Sequence, residues 1–497
     1  MSSTATILTN FKFDVSDLLP ATSMIILFIF SLLPITIKVL RGNREQAPIA
    51  TVSQGLIGVF ASAFCLVLFS GYGRLAFSDS LVFDGMTTMV GLIALGSVAI
   101  SILLMYENQA TRGAQFSELI FLAMSSALGM LILVSALDLL TIFIGLELMS
   151  LSLYLMIGMS HEEKLSKESA LKYFVLGSFA SAIFLYGVSF IYGMTGTTNI
   201  GQILGSAVTM METNRLFLFG VVLVVVGFCF KVSIVPFHAW TPDVYQGAPT
   251  PLAAMMATAV KAVSFAAFIR VITTKSLMGS EGLFDLLQWL AVITMIVGNV
   301  AAVIQNNFKR MLAYSSIANS GYILVGVIAT GISGENNAFS AGTVIFYLMS
   351  YSIMTLGCFA LISMMEKEEQ SIVSIEDLSG MAKKHPLIAL SLTVLLLSLA
   401  GIPPTLGFFS KFYLFNAAIG EGLLWLAIWG VLSSVISVFY YLRPIVMMYM
   451  KDGEFSLADH KLNATTATVF GSAILIFVLG VLSGPIMTAV EQSLIVK

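Results

Sequence analysis

Charge is what this chain has least of. Asp, Glu, Lys and Arg make up only 10% of its 497 residues, while 58% are hydrophobic, and a water-facing globular surface needs far more charge than that. A soluble globule is excluded and an integral membrane protein is implied. Cysteine is nearly absent: Cys65, Cys229 and Cys358 lie in apolar runs with no CxxC and no Cys/His pairing, which argues against a disulfide framework, a zinc site and an iron–sulfur ligand set. No glycine fingerprint of a dinucleotide-binding fold occurs either. Neither sign of charge dominates, with 24 basic and 27 acidic residues, so nucleic acid is not an expected partner and no polybasic anchor is present. The opening MSSTATILTNFKFDVSDLLP lacks a basic n-region and a small-residue cleavage site. The first apolar run is therefore expected to insert and stay.

What is present is a succession of apolar runs of about 20 residues, the length that crosses about 30 Å of hydrocarbon. Fourteen spans are predicted, over 19–40, 53–72, 83–105, 116–135, 137–158, 168–192, 214–235, 249–273, 286–304, 311–331, 341–364, 386–418, 422–446 and 465–488. The fourth and fifth nearly run together, and Ser135 and Asp138 mark the expected turn. With both termini outside, fourteen of the Lys and Arg residues fall on the inner side and six on the outer. That bias follows the positive-inside rule, and a missed or invented span would blur it. The charged stretch 365–385 reads as a solvated inner connector.

Two spans are interrupted in corresponding places. The seventh runs into FKVSIVPFHAWTPDVYQGAPTP, where Pro236 follows closely on Lys231; the twelfth contains GIPPTLGFFSKF, where Pro403 and Pro404 precede Lys411. Broken helices survive at membrane depth only inside protein or beside a wet cavity, and paired breaks in two halves point to a transport site. The expected fold is an all-α membrane protein, a single polytopic domain over 1–497, holding two five-helix units at 116–273 and 286–448, each with its fourth span broken. An odd-numbered unit repeated in tandem must be inverted.

Lys172, Lys231, Lys261, Lys411 and Glu147 are the ionisable residues inside these apolar stretches. A charge at the bilayer centre costs about 2.5 to 3.5 kcal/mol even on lenient scales, so such residues are read as functional first. Lys172 lies about a turn into its span and reads equally as a snorkelling side chain. Lys231 and Lys261 are too deep for that, and a structural ion pair is their bland alternative. Glu147 implies a lysine partner on a neighbouring helix. Burial lowers a lysine's proton affinity and a nearby carboxylate restores it, so a lysine between the two influences exchanges protons near neutral pH. A path from Lys231 through Lys261 to Lys411 is expected. His238, in PFHAW at the break, reads equally as a relay or as a capping hydrogen bond.

The stretches GFCFKVSIVPFHAWTPDVYQGAPTP, KYFVLGSFASAIFLYG, FKRMLAYSSIANSGY and GIPPTLGFFSKFYLF closely resemble the antiporter-like membrane subunits of respiratory NADH:quinone oxidoreductase, over about residues 84 to 450. Within that family, 497 residues leave no room for the lateral C-terminal helix of the largest member, and Lys411 stands where the middle one usually carries a glutamate. The resemblance implies that Glu147, Lys231, Lys261 and Lys411 are the family's proton-path residues and that Lys172 is the sixth-span lysine that communicates with the glutamate. One position departs: many members carry a histidine where this chain has Asn319, and an amide cannot titrate, although it can hold a water.

The resemblance further implies a proton-translocating, non-redox subunit in a bacterial cytoplasmic membrane, with no cofactor of its own. FMN, iron–sulfur clusters, NADH and quinone belong to partner subunits, and its neighbours are other membrane subunits, antiporter-like ones among them. Two alternatives stay open. A subunit of a multisubunit cation/proton antiporter would work without a redox partner. A structural scaffold with inert ion pairs would lose assembly and activity in step.

Overall fold

A run of twenty residues with almost no charge has one way to satisfy its own backbone in lipid, which is to coil into an α-helix. The computed structural model describes residues 15–69, 74–108, 110–111, 113, 115–159, 164–272, 281–333, 338–366, 373–453, 455 and 463–495. Its longer helices are α1 (Thr22–Leu40), α2 (Pro48–Leu68), α3 (Gly85–Glu107), α4 (Phe116–Ser135), α5 (Leu139–Met159), α6 (Lys164–Thr195), α7 (Ile200–Thr213), α8 (Arg215–Lys231), α9 (Trp240–Gly247), α10 (Thr250–Ile272), α11 (Glu281–Val303), α12 (Phe308–Ser333), α13 (Ala338–Met365), α14 (Pro386–Ala400), α15 (Leu406–Gly420), α16 (Leu424–Met450), α17 (Ala464–Val481) and α18 (Ser483–Leu494). Among the described residues, twelve helices are long and apolar enough to cross a membrane. The seventh and twelfth predicted spans are not among them: the seventh is cut short, α8 stopping at Lys231 with α9 following beyond the break, and the twelfth is split into α14 and α15.

Polar caps set several ends. Asp138 accepts from Leu140 N and Thr141 N at 2.9 and 3.1 Å and so starts α5, which puts the turn between the fourth and fifth spans where Ser135 and Asp138 predicted it. Asn214 caps α8 through Leu216 N and Phe217 N. Three features were not predicted. A hairpin of β1 (Arg74–Ala76) and β2 (Leu81–Phe83) bridges to Ala136; α7 is too short and mixed in polarity to read as a span; and Leu482 separates α18 from α17. The expected solvated connector also differs. Residues 367–372 lie outside the described residues, but Val373, Ile375, Leu378 and Met381 are buried, and the backbone at 373–375 pairs with Asn306 and Phe308.

Helices α10, α12 and α13 form the centre. The first is buried along its whole length and the other two nearly so, whereas α1 and α6 lie at the periphery. The LAAMMATAVKAVSFAAF sequence of α10 supplies small residues that let neighbours approach closely, which is how helices associate where no hydrophobic effect drives them together. Close approach also fixes α5. A Cβ at Gly129 would come within 2.5 Å of Met149 N, and one at Gly145 within 2.8 Å of Leu133 N, so α4 and α5 touch backbone to backbone and the rotation of α5 is set.

At one end of the bundle a polar clamp joins three helices. The Arg270 guanidinium, near the end of α10, grips both oxygens of Asp84 at 2.7 and 2.9 Å and also donates to Val134 O and Thr87 Oγ1. Burial alone would raise the Asp84 carboxyl, but the charge and hydrogen bonds of Arg270, with those of Thr87, hold it below the usual carboxylate range. A lowered carboxyl contributes stability above its unfolded value and loses it as pH falls through its folded value. Arg270→Ala leaves a buried carboxylate unpaired and is expected to cost about 3 kcal/mol. Arg270→Lys, which cannot make the bidentate fork, should fall between. Heat-induced aggregation of the solubilised protein reads the order; equal stability of all three would contradict the clamp.

Candidate functional site

An ammonium group away from water must find its hydrogen-bond acceptors in the protein, and the three lysines deepest in the predicted spans do so here. Lys231, Lys261 and Lys411 are 8, 2 and 7% exposed. Each sits at an irregularity in a helix. Lys231 is the last residue of α8; Lys261 directly follows a π-helical turn, Met256–Val260, within α10; Lys411 faces the gap between α14 and α15. Helix irregularities of this kind free backbone groups and recur at functional sites.

At the first break the chain leaves α8 through Ser233, whose φ of 63° is left-handed, so the break begins ahead of Pro236. Its freed groups find local partners: Val235 N donates to Thr294 Oγ1 at 3.0 Å, and Trp240 Nε1 donates to Phe230 O at 3.0 Å. Trp240 stacks on Tyr173, and Lys231 Nζ lies 5.6 Å from the centre of that Tyr173 ring. The same Nζ donates to Ser150 Oγ at 2.5 Å. Ser150 is one turn beyond Glu147 on α5, whose rotation the Gly129 and Gly145 contacts set. The hydrogen bond described for Lys231 goes to this serine and not to Glu147. Oε1 of Glu147 is buried and takes no hydrogen bond from the described residues. His238 is half-buried at the break and Pro236 is exposed.

Lys172 is drawn elsewhere. Its ammonium pairs with Glu168 at 2.7 Å and with Asp243 at 2.9 Å, and its side chain is 42% exposed. Asp243, on α9, also holds Arg310 of α12 at 2.7 Å. One carboxylate therefore ties α6, α9 and α12 together.

Lys261 donates to Ser316 O at 2.7 Å, to Ser316 Oγ and to Ser320 Oγ at 2.8 Å, all on α12. Its Nζ lies 5.6 Å from the Tyr351 ring centre. Lys411 donates to Leu399 O and Ala400 O at 3.1 Å each, and to Ser434 Oγ at 2.8 Å. These carbonyls end α14, where the helix dipole favours a cation, and Nζ stands 5.2 Å from the Tyr322 ring centre. Pro403 and Pro404 occupy the turn after Gly401, which adopts a φ of 86°.

Helix α12 carries a second polar stripe between Lys261 and Lys411. Asn319 Oδ1 accepts from Tyr347 OH at 2.6 Å and Nδ2 donates to Ser315 O at 2.8 Å; Ser315 Oγ bonds to Tyr441 OH. Asn299 accepts from Tyr440 OH and donates to Tyr322 OH, both at 2.9 Å. Asn319 is thus an amide bracing hydroxyls, in the row that separates the two lysines.

Sequence reading singled out Lys231, Lys261 and Lys411 and expected a lysine partner for Glu147, but it missed the serines and tyrosines around the lysines. Nothing distinguishes such residues from other hydroxyl residues in an apolar run. Asp243 and Glu366 did carry a signal, since each is an acid beside an apolar segment. Lys309, grouped with the inner loops, is instead buried and bonds to Glu366 Oε1 at 3.0 Å and to Ala248 O at 3.0 Å. Among the described residues no group of three His, Cys, Asp or Glu is placed to hold a metal ion.

Residues 136–437 match the family model described as NADH:quinone oxidoreductase/Mrp antiporter, transmembrane region. NADH-quinone oxidoreductase subunit N of Bdellovibrio bacteriovorus is 65% identical over 486 residues, which are 98% of this chain and 100% of that one. A chain of respiratory complex I from Thermus thermophilus, 32% identical, superposes with a TM-score of 0.80 over 94% of this chain and 99% of its own. A chain of the Mrp complex from Dietzia, 19% identical with a TM-score of 0.74 and 96% of each chain covered, shares the fold. The chain belongs to the NADH:quinone oxidoreductase/Mrp antiporter membrane family, in the branch of the NADH-quinone oxidoreductase N subunits.

Proposed function

We propose that this chain moves protons across a bacterial cytoplasmic membrane as a non-redox subunit of an NADH:quinone oxidoreductase, through Glu147, Lys172, Lys231, Lys261 and Lys411. The observation that carries the reading is that Lys231, Lys261 and Lys411 are buried, each beside a helix irregularity. Buried ammonium groups whose only hydrogen-bond acceptors are hydroxyls and carbonyls lose and regain protons readily, because desolvation opposes the charge. Glu147 lies one turn from Ser150 on α5, and its buried Oε1 takes no hydrogen bond from the described residues. A movement of Glu147 relative to Lys231 then releases the Lys231 proton toward Lys261.

The two units at 116–273 and 286–448 are read as inverted repeats. Each has a broken fourth helix, and a lysine lies at each break. With each broken pair counted as one crossing, the chain crosses fourteen times and both termini face outward. Lys172 serves as the inner modulator: it is held by Glu168 and Asp243 here, and its pairing competes with any approach to Glu147. Oxidation of NADH through FMN and iron–sulfur clusters to quinone is assigned to partner subunits, so the reaction class is that of a translocase and the isolated chain is not catalytic. The neighbours are other membrane subunits of that complex. Identity of 65% to an N subunit favours this over a cation/proton antiporter, to which the likeness is one of fold.

Lys231→Ala is expected to leave an assembled complex whose quinone-linked NADH turnover and proton pumping both fall several-fold. Pumping at the normal ratio by a complex containing the variant chain would remove Lys231 from the path, and loss of assembly in step with activity would favour the scaffold.

Gly401→Ala gives a charge-neutral test of the second break. The added Cβ would lie 3.1 Å from Lys411 Cδ and 3.3 Å from its Nζ, at a φ that costs an L-residue about 1 kcal/mol. Displacing Lys411 from the Leu399 and Ala400 carbonyls should lower protons moved per NADH while the membrane content of the chain stays near normal. A ratio equal to the unmodified complex would show that the position of Lys411 does not matter.

A further inference from the structure

The three buried lysines share surroundings that their sequence contexts do not announce. Each has a tyrosine ring beside its ammonium, Tyr173, Tyr351 and Tyr322, at 5.6, 5.6 and 5.2 Å. Each also donates to serine: Lys231 to Ser150, Lys261 to Ser316 and Ser320, Lys411 to Ser434. The remaining hydrogen bonds described for these ammonium groups go to main-chain carbonyls, Ser316 O, Leu399 O and Ala400 O. The tyrosine ring attracts the cation through its face and offers that cation no proton acceptor there. A peptide carbonyl accepts a hydrogen bond but has no proton to hand on. A hydroxyl both accepts and donates, and its proton rotates freely about the Cβ–Oγ bond.

Resting on the proton-path reading above, we infer that serine hydroxyls are the gates through which these lysines exchange protons: Ser150 for Lys231, Ser316 and Ser320 for Lys261, and Ser434 for Lys411. The step balances without a redox partner. One Nζ–H bond breaks as an Oγ–H bond forms; the hydroxyl's own proton leaves to a water molecule; the serine is unchanged and the lysine is left neutral. Reloading is the reverse. At Lys411 the assignment is cleanest, because its other two acceptors are the Leu399 and Ala400 carbonyls. Ser434 is half-buried on α16, while Lys411 itself is buried. At Lys231 the Ser150 hydroxyl bonds to Leu146 O and must rotate away from that carbonyl before it passes a proton. That rotation places the exchange one helical turn from Glu147, on the same helix.

The test uses the purified complex in proteoliposomes and compares Ser434→Ala with Ser434→Thr, alongside Lys411→Ala. The expected result is a several-fold fall in protons moved per NADH for Ser434→Ala at normal subunit content, recovery in Ser434→Thr, which keeps a hydroxyl, and no further fall when Ser434→Ala is added to Lys411→Ala. A packing role would instead make Thr, the bulkier residue, at least as harmful as Ala, and would make the two losses add; either result overturns the gate. If Lys411→Ala lowers pumping and Ser434→Ala does not, the gate fails while the lysine path stands. If Lys411→Ala leaves pumping unchanged, the lysine path itself fails. Should Ser434→Ala not assemble, Ser150→Ala against Ser150→Thr reads the same step at Lys231, with the same supporting and overturning outcomes.

Discussion

The burial of a charged amine decides most of what this structure must do. Water normally supplies an ammonium group with acceptors, and the bilayer supplies none. Lys411 takes its acceptors from the end of α14 and from Ser434, Lys261 from α12, and Lys231 from α5. The breaks in α8/α9 and α14/α15 are the other half of that arrangement. At the second break the exposed carbonyls are matched by the lysine, so the backbone defect and the side-chain defect compensate each other. The first break is matched differently, by Trp240 and Thr294, and leaves Lys231 with a serine and an aromatic face.

That compensation requires helices fixed in rotation to within a fraction of a turn. The contact of α4 and α5 at Gly129 and Gly145 aims Glu147 and Ser150. The small residues of α10 pack Lys261 against α12, and α12 then serves two sites at once: Ser316 and Ser320 turn to Lys261, while Ser315, Asn319 and Tyr322 belong to the polar row beside Lys411. Asp243 joins Lys172 and Arg310 across three helices. The site is therefore a property of the whole bundle, and α10, α12 and α13 are buried because they carry or flank it.

Much of this was legible in the sequence. Hydropathy placed α4 and α10 to within a residue or two, because a span in lipid has an all-or-none composition. The breaks were legible because Pro236 and the Pro403–Pro404 pair interrupt apolar runs, although the first helix already ends at Lys231, ahead of its proline. The buried lysines stood out because charge is so scarce. What stayed hidden was polar detail among uncharged residues. Ser150 and Ser434 look like any serine in a membrane helix, and only the folded contacts select them. Lys172 shows the opposite limit: its sequence position read equally as a snorkelling side chain and its family likeness pointed toward Glu147, whereas Glu168, one turn away, and Asp243, brought close by the α9 turn, hold it. Lys309 was grouped with the loops because it adjoins Arg310 at a helix start, yet packing buries it against Glu366.

Lys261 bonds from α10 to Ser316 and Ser320 of α12 and is the proposed step between the two halves, so its replacement tests the central claim most directly. Protons moved per NADH oxidised should be measured in proteoliposomes for the complex carrying Lys261→Met, which keeps an unbranched apolar stem one atom shorter but removes the charge. The account predicts an assembled complex whose proton-to-NADH ratio falls. An unchanged ratio at full occupancy of the chain would contradict a path through the buried lysines.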